Sequence, residues 1–248
     1  FFKAPARKPV YFQMLDENGR MVQSMRSWTS LQPGENASCA GCHEHKNSTA
    51  PTLPQPTLAL RAGPEILAPF YGPARGFSFA REIQPILDVK CVSCHNEKQE
   101  KISDLTAREI VDPGAKRRWS QAYLALTHSR PDDRKAASAW RGNPDHAMVN
   151  WISSGSVPTP LPPYTAGANR SQLIELLEKG HEKITMTKEE LEKLSAWIDL
   201  GIPFCGDYVE ANSWNDAEKA KYQRYLEKRQ RLEEEERQAL QAMQAMAR

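Results

Sequence analysis

The sequence predicts a mainly α-helical chain with long loops, a short N-terminal β-hairpin and a long C-terminal helix. Three observations carry this expectation. Apolar residues recur at helical spacing in several stretches between residues 78 and 201. Strict alternation of apolar and polar residues is confined to the region around "DENGR" near the N-terminus. The 18 prolines and 13 glycines break much of the remainder into loops.

In chain order, residues 9–28, "PVYFQMLDENGRMVQSMRSW", alternate about Asn18-Gly19, a strong hairpin signal. The hairpin leads into "TSLQPGENASC". Residues 46–76 are rich in Pro, Ala and Thr with little periodicity and read as a long surface connection. Ser78 is placed to cap "SFAREIQPILDVK", whose Phe79, Ile83, Ile86 and Leu87 share one helical face, with Pro85 weakening or kinking it. "KRRWSQAYLALT", residues 116–127, reads as a further amphipathic helix, and residues 129–170 as loops. Ser171 begins "SQLIELLEKG", with Gly180 as the stop. "TKEELEKLSAWIDLG" follows, with a Thr187/Glu190 capping box and a core-facing stripe of Leu191, Leu194, Trp197 and Ile198. From about Ser213 one long helix carries "KRQRLEEEERQ" on a solvated face. Its Tyr222, Tyr225, Leu226, Leu232, Leu240 and Met243 form an apolar stripe for the body or a partner. The expected organisation is 1–76, 77–210 and 211–248.

Charged residues make up 26% of the chain and the net charge is +2, which gives no global case for nucleic acid or an anionic membrane. The longest apolar runs, such as "LALRAGPEILAPF", are interrupted well before the roughly 20 residues of a membrane span. The opening "FFKAPARKPV" has no initiator Met and no signal-peptide core, so the reading is a soluble mature chain or a piece of a longer one.

Four of the five cysteines lie in two copies of one pattern, Cys39-Ala40-Gly41-Cys42-His43 and Cys91-Val92-Ser93-Cys94-His95. A zinc site could use both Cys pairs, but it has no need of a His directly after each second Cys. Covalent haem c needs that His. The two thiols form thioethers with the porphyrin edge and the adjacent imidazole supplies the proximal nitrogen. The expectation is therefore two covalently bound haem c groups in a cytochrome c-like dihaem domain. Cys39, Cys42, Cys91 and Cys94 are the thioether positions, and His43 and His95 the proximal ligands.

A second axial ligand is usually His or Met. His45 lies too close to His43 to cross to the opposite face of that haem. His181, after a glycine at a helix end, leads for the second haem, although the residues alone leave it open between ligand and surface histidine. His128 is the runner-up and His146 third. Met148 and Met186 are more often packing, and Cys205 more often a buried thiol.

Three blocks, "MRSWTSLQPGENASCAGCHEHK", "FSFAREIQPILDVKCVSCHN" and "LIELLEKGHEKITMTKEELEKLSAWIDLGIPFCGDY", occur in this order. Together they resemble the C-terminal dihaem part of the hydrazine synthase alpha subunit family, and the middle block is similar to planctomycete cytochrome c modules. The resemblance implies a β-propeller upstream, with the N-terminal hairpin as its exit. It implies a catalytic first haem with His43 proximal, and an electron-transferring second haem held by His95 and His181. The sequence departs from the family where a tyrosine near the first motif serves as an oxygen ligand. Here the first tyrosine after His43 is Tyr71, and Asn47 lies one turn along.

Two functional readings follow. In the first, the chain is a dihaem electron-transfer module with a bis-His second haem. In the second, it is a haem enzyme or a subunit of one, whose first haem keeps an open or weakly held distal site for a small nitrogen species. The long helix as an interaction element is compatible with either. Expected partners are a redox protein or other subunits of a multi-haem complex. Covalent haem attachment in bacteria implies a periplasm or an equivalent extracytoplasmic compartment.

Overall fold

Alternation around "DENGR" produces the expected hairpin: β1 (Gln13–Leu15) pairs antiparallel with β2 (Met21–Ser24), with a bulge between Met14 and Leu15. The computed structural model describes residues 1–37, 56–98, 102–114, 117–127, 148–152 and 161–246. The hairpin turn is a longer one than the tight two-residue form. Gly19 (φ 72°) donates to Asp16 O, Asp16 N donates to Arg20 O, and the Asp16 carboxylate accepts from Asn18 N and Arg20 N. Gly19 supplies the left-handed residue that such a turn requires.

The chain divides into two compact units, Phe1–Phe204 and Cys205–Arg248. In the first, α1 (Leu58–Ala62) is a short helix with no buried residue, inside the stretch read as a surface connection. A π-helical turn (Phe79–Ile83) then runs into α2 (Gln84–Lys90). Gln84 N donates to Phe79 O, five residues back, and Pro85 falls at the start of α2. The wider turn absorbs the proline that an uninterrupted α-helix would not tolerate. Ser78 precedes the turn but makes no side-chain cap bond.

The helix expected over 116–127 starts later. Arg117–Ser120 is a strand, β4, paired antiparallel with β3 (Glu109–Asp112), and only α3 (Gln121–Thr127) is helical. Trp119 lies opposite Ile110 and both pack on the core, while Arg118 reaches Glu109 at 2.7 Å. Pairing with the strand just before it, across a four-residue connection, has overridden the local helical spacing.

After a 3₁₀ turn (Ala168–Arg170) come α4 (Gln172–Lys179) and α5 (Lys188–Asp199). Ser171 stands at the N-cap of α4, but its hydroxyl donates to Gly167 O and accepts from Asn150 N. The Thr187/Glu190 capping box forms as expected. Thr187→Ala removes its hydroxyl acceptor and is expected to cost about 1 kcal/mol, read as a lowered urea midpoint with unchanged m-value. α5 closes on Leu200. Gly201 N donates to Ile198 O and Ile202 N to Trp197 O, a Schellman motif with Gly201 as its left-handed residue (φ 82°).

One apolar core joins these elements. Phe79, Ile83 and Leu87 meet Ala122, Tyr123 and Leu126 of α3, Ile174 of α4, and Leu194, Trp197 and Ile198 of α5. The hairpin is pinned to α5 through Asp199. Its buried carboxylate accepts from Met21 N (2.9 Å) and Ala168 N (2.7 Å), and its carbonyl accepts from Gln13.

The second unit contains α6 (Tyr208–Ala211), capped by Asp207, and α7 (Asp216–Met246), in which no residue is buried. Among the described residues no helix is long and apolar enough to cross a membrane.

Candidate haem site at Cys91, Cys94, His95 and His181

The second motif continues α2 by one turn. Cys91 N donates to Leu87 O, and Cys91 O accepts from both Cys94 N (3.1 Å) and His95 N (2.8 Å). Helical spacing of three and four therefore puts Cys91, Cys94 and His95 on one side of the turn. Cys91 is half-buried against the core, whereas Cys94 is exposed. Burial, reinforced by the Glu190 carboxylate, pushes the Cys91 thiol up, the opposite of what a reactive thiolate requires.

His95 is fixed on both sides. Its Nδ1 lies 3.0 Å from Ser103 O, and its carbonyl accepts from Leu105 N. A proton on Nδ1 donated to that carbonyl leaves Nε2 as the free lone pair, as in metal-ligating histidines.

His181 faces it. The two rings are half-buried, with centroids 6.0 Å apart and planes inclined by 45°. Two imidazoles sharing one metal place each nitrogen about 2 Å from it and each centroid about 1.2 Å further, roughly 6.4 Å from ring to ring. The observed spacing matches an axial pair. Among the described residues no group of three or more His, Cys, Asp or Glu converges as a metal cluster would. The spacing of the pair, the free Nε2 of His95 and the neighbouring cysteines fit a haem c.

His181 sits on a strained turn. Gly180 (φ 88°) ends α4, and Glu182 (φ 47°) and Lys183 (φ 64°) then form a tight reversal closed by Ile184 N donating to His181 O. Two successive left-handed residues that are not glycine cost free energy unless their surroundings hold them. Lys90, the residue before Cys91, supplies one restraint. Its ammonium donates to Thr185 O at 2.9 Å and lies 3.5 Å from Glu190, itself part of the capping box. Proximal and distal halves are thus tied directly. No sequence signal marks the Ser103 carbonyl. Lys90 had one faint signal, its position next to Cys91.

Cys39, Cys42 and His43 of the first motif, and the weaker candidates His128, His45 and His146, lie outside the described residues. Met186 is half-buried and packs on the core, as does Met148, in keeping with packing roles. Tyr71 donates its hydroxyl to Glu192 of α5, and this bond, with burial and the nearby acidic charge, pushes it up to about 12. That environment favours the phenol over a phenolate oxygen ligand.

Comparisons with known proteins return partial matches. The profile of the hydrazine synthase alpha subunit middle domain matches residues 1–44. The chain is similar to hydrazine synthase subunit alpha of Kuenenia stuttgartiensis, 24% identical over 243 aligned positions that cover 78% of this chain and 30% of the relative. A solved structure of Kuenenia stuttgartiensis hydrazine synthase aligns with a TM-score of 0.48 at 20% identity, over 78% of this chain and 30% of that one. The chain thus spans about 30% of the length of the relatives it matches.

Proposed function

We propose that this chain is the haem-bearing part of a hydrazine synthase-type subunit, folded as a cytochrome c-like dihaem domain. In this reading the first haem, anchored by Cys39, Cys42 and His43, offers a coordination position to a small nitrogen species. The second, anchored by Cys91 and Cys94, is held between His95 and His181 and passes electrons. Similarity to an enzyme subunit favours this over a free-standing electron-transfer module, the other reading of the sequence. Other subunits of the same assembly are the expected partners, in an extracytoplasmic compartment.

The observation that carries the proposal is the opposed His95/His181 pair with the Ser103 carbonyl behind His95. A haem with both axial positions filled supplies outer-sphere electron transfer, with little to reorganise. The chain contributes a fixed tautomer at His95, a strained turn for His181, and the Lys90 strap between them.

The test is carbon monoxide titration of the reduced chain with its haems attached, followed in the Soret region. One haem is expected to bind the gas and the other to stay six-coordinate. Two haems that both refuse it would sink the open first site, and two that both bind would sink the His95/His181 pair.

Lys90→Met gives a finer check. Cutting the strap is expected to leave the resting spectrum unchanged but to lower the urea midpoint at which the second haem loses its low-spin spectrum, as loss of roughly 1.4 kcal/mol of restraint on the turn implies. A urea titration followed in the Soret region reads it. An unaltered midpoint would mean that Lys90 does not position the distal turn.

A further inference from the structure

The outer helix α7 is 31 residues long, about 46 Å, and none of its residues is buried. Tyr225, Leu232, Ala239 and Met246 recur every seven residues, with Tyr225 53%, Leu232 50% and Met246 88% exposed. They form a narrow exposed seam, and the positions between them that a helix pair would also turn inward include Lys228 and Glu235, so charge as well as apolar contact selects the partner helix.

The charges flanking the seam identify the helix that fits. Read outward in both directions from Leu232, they mirror one another with opposite sign. Arg231 is matched by Glu233, Arg229 by Glu235, Lys228 by Glu236, and Glu227 by Arg237. Two copies laid antiparallel about Leu232 therefore bring Lys228 of one beside Glu235 of the other and Arg229 beside Glu236, each pair on its own side of the seam, and set Tyr225 level with Ala239. Laid parallel in register, the same two copies would set Glu233–Glu236 against themselves.

A lone helix gains little from this order. Arg229–Glu233 (2.9 Å) and Arg231–Glu235 (3.7 Å) pair along it, but with the cation on the N-terminal side, the weaker orientation. Asp216 and Glu218 suit its first turn, but its last turn carries no basic residue to meet the negative end of the dipole. An antiparallel neighbour sets its own positive end beside that turn.

We propose that α7 is a self-association element that pairs antiparallel with α7 of a second copy of this chain, centred on Leu232. The occupant is a second copy because the complementarity is internal to one sequence.

The test uses the full chain with its haems attached, in sedimentation equilibrium at low and high salt. Wild type is expected to form a dimer that weakens as salt rises. Replacing Glu233, Glu234, Glu235 and Glu236 all by Lys, or Lys228, Arg229 and Arg231 all by Glu, should each raise the dissociation constant by about tenfold or more, since several facing pairs become repulsive. An equimolar mixture of the two variants should recover wild-type affinity. Orientation is read by oxidative cross-linking in a Cys205→Ser background. Tyr225→Cys mixed with Ala239→Cys should link, and Tyr225→Cys alone should not. A monomeric wild type, a dimer indifferent to both charge changes, or linking by Tyr225→Cys alone would each overturn the proposal. Circular dichroism confirms that each variant keeps its helix, so that lost pairing is not lost folding.

Discussion

His181→Ala is expected to leave the second haem five-coordinate and high-spin, with a shifted Soret band, a new high-spin electron paramagnetic resonance signal and avid carbon monoxide binding. His95 and His181 are the two described imidazoles that converge, and Ser103 holds His95 in place by its Nδ1. Removing the imidazole at 181 takes away the nitrogen on one side. The nearest sulfur in sequence, Met186, is packed against the core. Free imidazole added to the variant should restore the low-spin spectrum, because only the ring is missing. A variant that remains six-coordinate at an unchanged potential would remove His181 from the site and with it the electron-relay role of the second haem.

Gly167→Ala is expected to cost at least about 3 kcal/mol of folding free energy, the largest effect of an added methyl group among the described glycines of positive φ. Gly167 has φ 86° and ψ −160°, a region essentially closed to other residues. A Cβ there would meet Asp199 Oδ1 at 2.3 Å and Met21 Cε at 2.7 Å. The methyl group would therefore push on the carboxylate that receives Met21 N and Ala168 N. Gly63, with φ 83° and ψ 177° and nothing within 4 Å of its added Cβ, isolates the backbone part of the cost. If Gly63→Ala and Gly167→Ala lower the urea midpoint equally, the steric account of the Asp199 junction is wrong.

Asp199 also predicts a pH dependence. Burial, despite two backbone donors, pushes its carboxyl up to about 6 from 3.8, with the charge of Asp16 adding to the rise. Between these values the folded chain holds a proton that the unfolded chain has lost, so this group's contribution falls as pH rises. It is complete below about pH 4 and gone above about pH 6, an order-of-magnitude 3 kcal/mol. Asp199→Asn should flatten that part of the pH profile of the thermal midpoint. A slope that survives the substitution would assign the dependence to other groups.

Much of this was legible in the sequence because it is local. The hairpin around Asn18-Gly19, the stop at Gly180 and the Thr187/Glu190 box each depend on residues a few positions apart. The strand at Arg117–Ser120 was not, because its partner Glu109–Asp112 carries no alternation strong enough to announce itself. The same division runs through the site. Cys91, Cys94 and His95 announce themselves by spacing, and His181 only by a glycine before it. The Ser103 carbonyl is a backbone atom that any residue would supply. The Lys90 to Thr185 contact spans 95 positions, a separation over which no periodicity operates.

The stretch Ile202-Pro203-Phe204 gives up three consecutive carbonyls to three different elements: Tyr123 Oη donates to the first, Trp197 Nε1 to the second and Phe79 N to the third. In mechanical terms this is a bolted flange. A tension applied to the chain beyond Cys205 is carried at that point by α3, α5 and the turn before α2 in parallel, so all three must yield before the core does. A pulling experiment on the C-terminus should accordingly register no early slack from the first unit, and then one cooperative rupture.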